Sequence, residues 1–473
     1  MIIRNARVLT FDPANRVLDS ASVEVLDDGA IGAVGSIRRR AAEEIDARGR
    51  LLMPALINAH SHLYSTLARG ISLAGPAPAN FAEILKKLWW RLDCALDARD
   101  VYYSALVGLV DSAKCGVGTV IDHHSSPNAC PGSLDHIERA FREVGLRGAL
   151  CYETSDRNGP RQAREGFQEN VRFIERARTF ADGMLGASFG LHASFTLTDR
   201  TLRRAVEANR SLRAGFHIHV AEDRIDAGAV RRLHDAGALD EKTVAAHCLH
   251  VTARECAVLA RLRVNVIHNP QSNCNNAVGM ARLVELMKRG VLVGLGSDGY
   301  SPRMWDEFKT ALHVAKLRAR DPRVGYAEAY AAAFLNNREI VRKVWGMDIG
   351  RIETGARADL ILVDYFPPTP LDSGNLSGHL LFGISNAPVD SLMVNGRWIV
   401  RDKVCVTVDE RKVAARAAVR ARALWGGPPG PRGFPWTRGP VEGWTASRAR
   451  SRPGGRLRTR ASAPQTQKHE EAG

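Results

Sequence analysis

The sequence lacks any long apolar run. No stretch approaches the roughly 18 consecutive apolar residues that a membrane-spanning helix needs, and the opening Met-Ile-Ile-Arg-Asn-Ala-Arg has no apolar core of a signal peptide. We therefore expect a cytoplasmic protein without a membrane partner.

Paired cysteines are also absent. The eight cysteines are scattered along the chain, with no Cys-x-x-Cys pair among them. This spacing argues against a disulfide framework or a structural zinc site and favours free thiols in a reducing compartment.

The composition is that of a folded protein: 473 residues, 45% of them hydrophobic and 25% charged. The formal net charge of +15 points towards nucleic acid or another anionic partner. The residues from Gly427 onwards include nine basic residues and three glutamates, so they contribute +6 to this net charge. Residues 426–473 are so poor in aliphatic side chains that we expect a disordered basic tail. With its remaining charge spread over a large surface, the chain is not expected to bind nucleic acid.

The two ends of the chain carry short alternating apolar runs broken by turn residues, a pattern typical of β-strands. Asn395-Gly396 is a two-residue hairpin signal. We predict one small β-sandwich domain built from residues 1–53 and 349–408. A helix at 409–425, with Asp409 as its N-cap, follows it.

Residues 54–348 alternate short apolar runs with longer helical patterns, which predicts an α/β fold, a (β/α)₈ TIM barrel. The eight predicted strands span 52–59, 119–123, 148–152, 185–192, 215–220, 244–248, 264–268 and 291–297. In such a barrel the carboxyl ends of the strands form the functional rim.

Histidines and carboxylates lie at four of these strand ends. His60 and His62 stand two residues apart on the first strand, so both imidazoles point to the same side and can reach one metal ion. The other strand ends carry His219 with Glu222, then His247, then Asp298. Barrel closure brings these side chains together, which predicts a site for metal-dependent chemistry on a small molecule.

The motifs resemble those of the amidohydrolase superfamily, in its cytosine/guanine deaminase and triazine hydrolase branch. P-x-x-x-N-x-H-x-H, H-I-H-x-A-E, A-A-H, H-N-P-x-S-N and G-S-D-G recur in family order, and the resemblance covers about residues 1–425. Further stretches, such as Glu153-Thr-Ser-Asp-Arg-Asn158, resemble the SsnA-type aminohydrolases. The resemblance implies a metal-dependent aminohydrolase, or deaminase, that hydrolyses a non-peptide carbon–nitrogen bond of a nitrogen heterocycle, a purine derivative among the options.

The resemblance also assigns roles. It makes His60, His62, His219 and Asp298 the metal ligands, Glu222 the proton shuttle, and His247 a catalytic group that polarises water or substrate. Three nitrogen ligands and one carboxylate suit Zn²⁺, and Fe²⁺ tolerates the same set. Members with two metals bridge them with a lysine at the end of the fourth strand, but no lysine occurs here between Lys114 and Lys242. We therefore expect one divalent ion.

Five further residues are candidate substrate contacts. His192 takes the position of a substrate-binding histidine in this branch, or it bonds main chain at the rim. Trp89 could stack on a planar heterocycle or belong to the core. His123, Glu153 and Arg157 could read ring nitrogens or a carboxylate, or could pair among themselves. Asn269 and Asn273 are expected to fix a loop.

Other functions remain open at this point. Dechlorination or cyclic-amide opening would use the same activated water on a different carbon. A scaffold that has lost its metal, and a nucleic-acid binder that uses the basic tail, are the alternatives outside catalysis. The enzyme is expected to be a homodimer.

Overall fold

The computed structural model describes residues 1–73 and 75–426. The predicted disordered tail at 426–473 lies outside the described residues, apart from Gly426, which ends the last helix. None of the helices in the described residues is both long enough and apolar enough to cross a membrane.

Two parallel sheets, of four and five strands, form the predicted (β/α)₈ barrel. Single bridges between Ser61 and Asp298 and between Thr154 and Leu191 join the two sheets. The fourth strand is interrupted at Ser188, so its first part pairs with the third strand and its second part with the fifth. The barrel strands are Leu56–Ser61, Val117–His124, Arg147–Tyr152, Leu185–Ala187 with Phe189–Ala193, Phe216–Val220, Val244–His247, Asn265–His268 and Leu292–Leu295.

Helices follow the barrel strands and cover the outside of the barrel. A capping box begins the helix Ala98–Lys114. The Asp97 side chain accepts hydrogen bonds from the main-chain N–H groups of Arg99 and Asp100, and the Asp100 carboxylate accepts one from the N–H of Asp97. The α-helices are Phe81–Ile84, Trp90–Ala95, Ala98–Lys114, Ser133–Val144, Pro160–Ala177, Asp199–Leu212, Ala229–Ala236, Ala253–Arg261, Pro270–Asn275, Leu283–Lys288, Met304–Ala319, Tyr326–Tyr330, Asn337–Trp345, Leu376–Phe382 and Glu410–Gly426. In the described part of the chain, the helical elements also include two π-helical segments, Leu85–Trp89 and Ala331–Asn336, and four 3₁₀ turns, Leu63–Ala68, Ser194–Thr196, Arg224–Asp226 and Ile384–Asn386.

A mixed nine-stranded sheet combines both ends of the chain. The strand Leu51–Pro54 connects the N-terminal and C-terminal strands of this sheet. It pairs in parallel with Ile2–Leu9 and antiparallel with Leu360–Val363. Asn395 and Gly396 form the predicted hairpin turn, with φ of 49° and 76°. The strands are Ile2–Leu9, Val17–Val25, Ile31–Gly35, Glu44–Asp46, Leu51–Pro54, Leu360–Val363, Val389–Val394, Arg397–Arg401 and Val404–Cys405. The exact limits of the predicted domains stay a prediction.

The strand predicted at 52–59 is in fact two strands, and this is a correction to the sequence reading. Leu51–Pro54 belongs to the mixed sheet, and Leu56–Ser61 starts the barrel. The chain changes sheet at Ala55, because Pro54 already pairs with Leu360 from the far end of the sequence.

The two faces of the mixed sheet enclose different cores. Leu360 and Leu362 pack among the side chains of the small domain, whereas Ile361 and Val363 pack into the large core that includes the barrel and its helices. A buried ion pair crosses between the two parts: Arg147 donates from Nε and Nη2 to the Asp359 carboxylate, at 2.8 and 3.0 Å.

Candidate active site

The candidate site lies at the carboxyl ends of the barrel strands. His60 and His62 come from the first strand, His219 from the fifth and His247 from the sixth, and Asp298 follows the eighth. All four imidazoles are buried, and the Asp298 side chain is 12% exposed. The structure thus brings together the residues that the sequence predicts as metal ligands.

Two of these residues hold unusual backbone conformations. His247 has a φ of 74° and Asp298 a φ of 58°, in the left-handed region that non-glycine residues rarely adopt. Such strain costs roughly 1–3 kcal/mol and persists where the surroundings fix the geometry. At Asp298 the fixing contact is the hydrogen bond from its N–H to the carbonyl oxygen of His60, at 2.9 Å.

Main-chain carbonyls orient two of the imidazoles. Nδ1 of His62 lies 2.6 Å from the carbonyl oxygen of His123, and Nδ1 of His219 lies 2.8 Å from that of His192. A carbonyl oxygen only accepts hydrogen bonds, so both rings donate from Nδ1. Their Nε2 atoms then face one another at 3.1 Å, as the ligand atoms of a metal centre would.

The remaining donors converge on the same point. Nδ1 of His60 lies 2.8 Å from Nε2 of His217, and Nε2 of His60 lies 3.6 Å from Oδ1 of Asp298. The same carboxylate oxygen lies 2.9 Å from Nε2 of His62. Three imidazole nitrogens and one carboxylate oxygen therefore meet in one small volume.

The carboxylates around this point stabilise positive charge. Burial alone would raise the pKa of Asp298, but the adjacent imidazoles of His60 and His62 hold it well below its ordinary value. Burial alone would lower the pKa of His62, but hydrogen bonds with Asp298 and Glu153 raise it well above its ordinary value. A metal cation at this point would meet the same field that favours a proton there.

The residues fit a divalent metal ion. Two groups of four have ligand atoms within 4.8 Å of one another: His60, His62, His123 and His219, and His60, His219, His247 and Asp298. Within the described residues, Nε2 of His60 and Nε2 of His247 have no hydrogen-bond partner although they are buried, which is costly unless an ion or a reactant satisfies them. Imidazole with carboxylate is the donor set of zinc and related first-row metals.

Glu222 and His247 stand beside this cluster. Nδ1 of His247 lies 2.9 Å from Oδ1 of Asn273, which leaves Nε2 facing Glu222 Oε2 at 3.5 Å and Asp298 Oδ2 at 3.8 Å. Burial and the nearby Asp298 charge raise the pKa of Glu222 well above its ordinary value. The surroundings therefore favour the protonated form of Glu222 and the ionised form of Asp298, so the two carboxyl groups suit opposite roles in proton transfer.

A cavity opens onto these groups. Its inner wall includes His62, His219, Glu222 and Asp298, and aromatic side chains form much of the rest. The other lining residues are Tyr64, Ser65, Phe81, Leu85, Trp89, Trp90, Glu153, Arg157, His192, Ala193, Phe195, Asp223, Asp226, Ser272, Asn275, Asn276, Gly299 and Tyr300.

Four of the five predicted substrate contacts line this cavity: Trp89, Glu153, Arg157 and His192. His123 does not line it. Its side chain is fully buried below His62 and stacks on His217, with ring centroids 4.4 Å apart and planes at 10°. His123 therefore lies on the floor of the histidine cluster rather than on the cavity wall.

Glu153 and Arg157 pair with neighbours rather than with each other. Glu153 Oε1 lies 3.2 Å from Nδ1 of His62, and this contact helps hold the pKa of the buried carboxyl below its ordinary value despite its burial. Arg157 donates to the Asp93 carboxylate and to the Ser125 hydroxyl, and its guanidinium lies 5.4 Å from the centre of the Trp90 ring. Both side chains also line the cavity.

Sequence reasoning missed several site residues. His217 had no predicted role, yet it contacts His60 directly; its two-residue spacing from His219 was the available signal. Phe81 and Leu85 line the cavity from a helix that follows a long loop, and no motif marked them. Asn269 contributes a long contact of 3.5 Å from Nδ2 to Nδ1 of His247, and Asn273 orients the same ring.

Comparison with known proteins gives close relatives over nearly the whole chain. The chain is 30% identical to a 5′-deoxyadenosine deaminase of Methanosarcina mazei over 439 residues, covering 90% of this chain and 98% of the relative. It is 31% identical to a 5-methylthioadenosine/S-adenosylhomocysteine deaminase of Desulforudis audaxviator, covering 90% of this chain and 99% of the relative.

Solved structures share the fold. An adenosine deaminase of Xanthomonas campestris with bound zinc has a TM-score of 0.77 at 23% identity, covering 89% of this chain and 98% of that one. A zinc complex of the atrazine chlorohydrolase TrzN of Arthrobacter aurescens has a TM-score of 0.73 at 21% identity, covering 89% and 99%.

The family model described as "Amidohydrolase family" matches residues 51–399, which include every predicted metal ligand. Together with the barrel and its histidine and aspartate cluster, this match is decisive. The chain belongs to the amidohydrolase family.

Proposed function

We propose that this amidohydrolase removes the exocyclic amino group of an adenine nucleoside or a related purine derivative, with one Zn²⁺ ion as cofactor and Fe²⁺ as the alternative. The enzyme class is confirmed by the relatives: a metal-dependent deaminase, a hydrolase of carbon–nitrogen bonds other than peptide bonds. The substrate proposal rests on the adenosine-type compounds named for those relatives.

One observation carries the chemical part of the proposal. The point where three imidazole Nε2 atoms meet Asp298 lies at the inner wall of a cavity that also presents Glu222. An ion site, a proton donor and a proton acceptor at one wall of the cavity are the parts of a catalytic site, and they argue against a scaffold that has lost its catalytic activity. The same arrangement disfavours the basic tail as the main functional element.

We assign the ion to His60, His62, His219 and Asp298. A divalent ion in such a site lowers the pKa of bound water to about 7 and so supplies a nucleophile at neutral pH. The proposal of a single ion rests on the sequence, since no lysine occurs between Lys114 and Lys242.

The protein's own groups move the protons. Asp298, held ionised by its histidine contacts, accepts the proton of the attacking water. Glu222, kept protonated by burial and by Asp298, gives its proton to a ring nitrogen as the carbon becomes tetrahedral. His247 contributes from Nε2, which accepts a hydrogen bond from the water or substrate. Asp298 then passes the proton it took from water to the amino group, ammonia leaves, and the proton of the new hydroxyl group returns to Glu222 as the carbonyl forms.

The cavity wall orients a flat heterocycle. Trp89 and Trp90 line the cavity, and indole rings can stack on a planar heterocycle. Thr196 donates its hydroxyl proton to the Ala193 carbonyl, so Nδ1 of His192 donates to Thr196 and Nε2 of His192 accepts from the substrate. Glu153 and Arg157 supply an acceptor and a donor beside it.

Two further proposals concern the location and the assembly of the enzyme. All eight cysteines are free thiols, as in a reducing compartment, which supports a cytoplasmic enzyme. The expected homodimer stays a prediction, as does the absence of a nucleic-acid partner.

A substrate panel tests the proposal. The zinc-loaded protein is incubated with adenosine, 5′-deoxyadenosine, 5-methylthioadenosine and a chlorinated triazine, and ammonia and chloride are measured in parallel. We expect ammonia from at least one adenine nucleoside and no chloride. Release of chloride from the triazine, without ammonia from any nucleoside, would contradict the proposed deaminase activity and indicate a dechlorinase.

A further inference from the structure

His123 is a buried imidazole without hydrogen bonds. The side chain is fully buried, and in the described residues neither ring nitrogen has a hydrogen-bond partner. A neutral imidazole carries one N–H and one lone pair, and burying both unsatisfied costs free energy that folded proteins usually avoid. A bound ligand or ion at the ring would remove this cost.

The ring lies against the metal cluster. Its centroid is 4.8 Å from that of His219, 5.5 Å from that of His62 and 5.6 Å from that of His60. One nitrogen of His123 belongs to a group of four histidine ligand atoms that lie within 4.8 Å of one another. Two nitrogens on opposite sides of an ion at about 2.1 Å stand about 4.2 Å apart, so small side-chain movements suffice.

Glu153 lies beside Nδ1 of this ring. Its Oε1 lies 3.5 Å from Nδ1 of His123, and the carboxylate is itself buried. A carboxylate behind one imidazole nitrogen is the arrangement that orients metal-binding histidines and makes them better ligands. With Nδ1 turned to Glu153, Nε2 of His123 is left as the ligand atom.

We propose that His123 is an additional ligand of the metal ion, so that four imidazoles and Asp298 bind it. The inference rests on the proposed metal site and deepens it. A fifth protein ligand, with a water or substrate atom besides, raises the coordination number above the tetrahedral four that zinc adopts most readily. The centre should therefore favour ions that accept five or six ligands, such as Fe²⁺ or Co²⁺, more than a four-ligand centre would.

His124 is the matched control on the same strand. It is equally buried, but Nε2 lies 2.8 Å from the Ser126 hydroxyl, and the ring packs near Tyr64 and Tyr152, away from the cluster. Replacing it removes an imidazole of the same size without touching the proposed centre.

The test uses metal-free full-length protein loaded with Co²⁺, in wild type, His123→Ala, His123→Gln and His124→Ala. The visible absorption of Co²⁺ strengthens step by step as its coordination number falls from six to five to four. We expect weak bands in wild type and His124→Ala, and stronger bands in both His123 variants. Chelator competition should show Co²⁺ affinity lower by on the order of 10–100-fold in the His123 variants only.

Superimposable spectra and equal affinities in wild type and the His123 variants would overturn the proposal. If both His123 variants fail to fold by circular dichroism, anomalous diffraction from Co²⁺-loaded wild-type crystals decides: a nitrogen of His123 about 2.1 Å from the ion supports the proposal, and one beyond 3 Å refutes it. Ammonia release is measured separately, so failure of the deaminase function is distinguishable from failure of this ligand assignment.

Discussion

His217 should control metal affinity without touching the metal. Its Nε2 lies 2.8 Å from Nδ1 of His60, and both rings are fully buried. If His60 binds the ion through Nε2, its Nδ1 carries the proton and donates it to His217. His217 thereby fixes both the tautomer and the orientation of the ligand.

The expected loss follows from this one hydrogen bond. In His217→Ala, the N–H of His60 loses its acceptor in a buried site, which costs about 1–3 kcal/mol. At 1.4 kcal/mol per tenfold change, metal affinity should fall about 5- to 150-fold. His217→Gln keeps a side-chain acceptor and should recover most of the affinity.

Chelator competition with Zn²⁺ and with Co²⁺ measures these affinities, and thermal unfolding of the metal-free proteins controls for folding. His124→Ala is again the control, because its ring bonds Ser126 rather than the cluster. If His217→Ala binds both ions as tightly as wild type, the proposed orientation of His60 is wrong.

Two further predictions concern catalysis and the joint between the domains. Glu222→Gln should lower kcat by on the order of 10²–10⁴-fold with metal content unchanged. The pKa of Glu222 is raised and its protonated form is the active one, so wild-type kcat should fall as pH rises through that pKa. The Gln variant should lose this decline at alkaline pH. A pH profile identical to that of wild type would exclude Glu222 as the acid. Arg147→Ala leaves Asp359 buried without its partner and should cost about 3–5 kcal/mol in chemical denaturation. The surface pair of Arg323 with Asp321 is the control, and its Arg323→Ala variant should leave the free energy of unfolding nearly unchanged. Equal losses in the two variants would contradict the buried-pair argument.

The sequence predicts much of the centre because strand ends and histidine spacing are local signals. His60, His62 and Asp298 lie where the barrel pattern put them, since all parallel strands of a barrel end on one rim. Local sequence does not determine which of two neighbouring imidazoles on a strand lies under the cluster. His123 and His124 alternate across their strand, and only packing against His217 decides that His123 lies under the cluster.

Long-range pairing explains the other differences. The split of the first predicted strand at Ala55 depends on Leu360–Val363, which lies some 300 residues away and captures Leu51–Pro54 into the mixed sheet. Both stretches are apolar, so periodicity alone could not separate a strand of the small sheet from the first barrel strand.

Titration of the metal-free enzyme with Zn²⁺ tests the central claim most directly. Ammonia release from an accepted adenine nucleoside is recorded as metal is added, with bound metal measured on the same samples. The account predicts no release without metal and a rate that rises linearly and levels off at one ion per chain. Full activity in metal-free protein, or activity that appears only with a second bound ion, would contradict it.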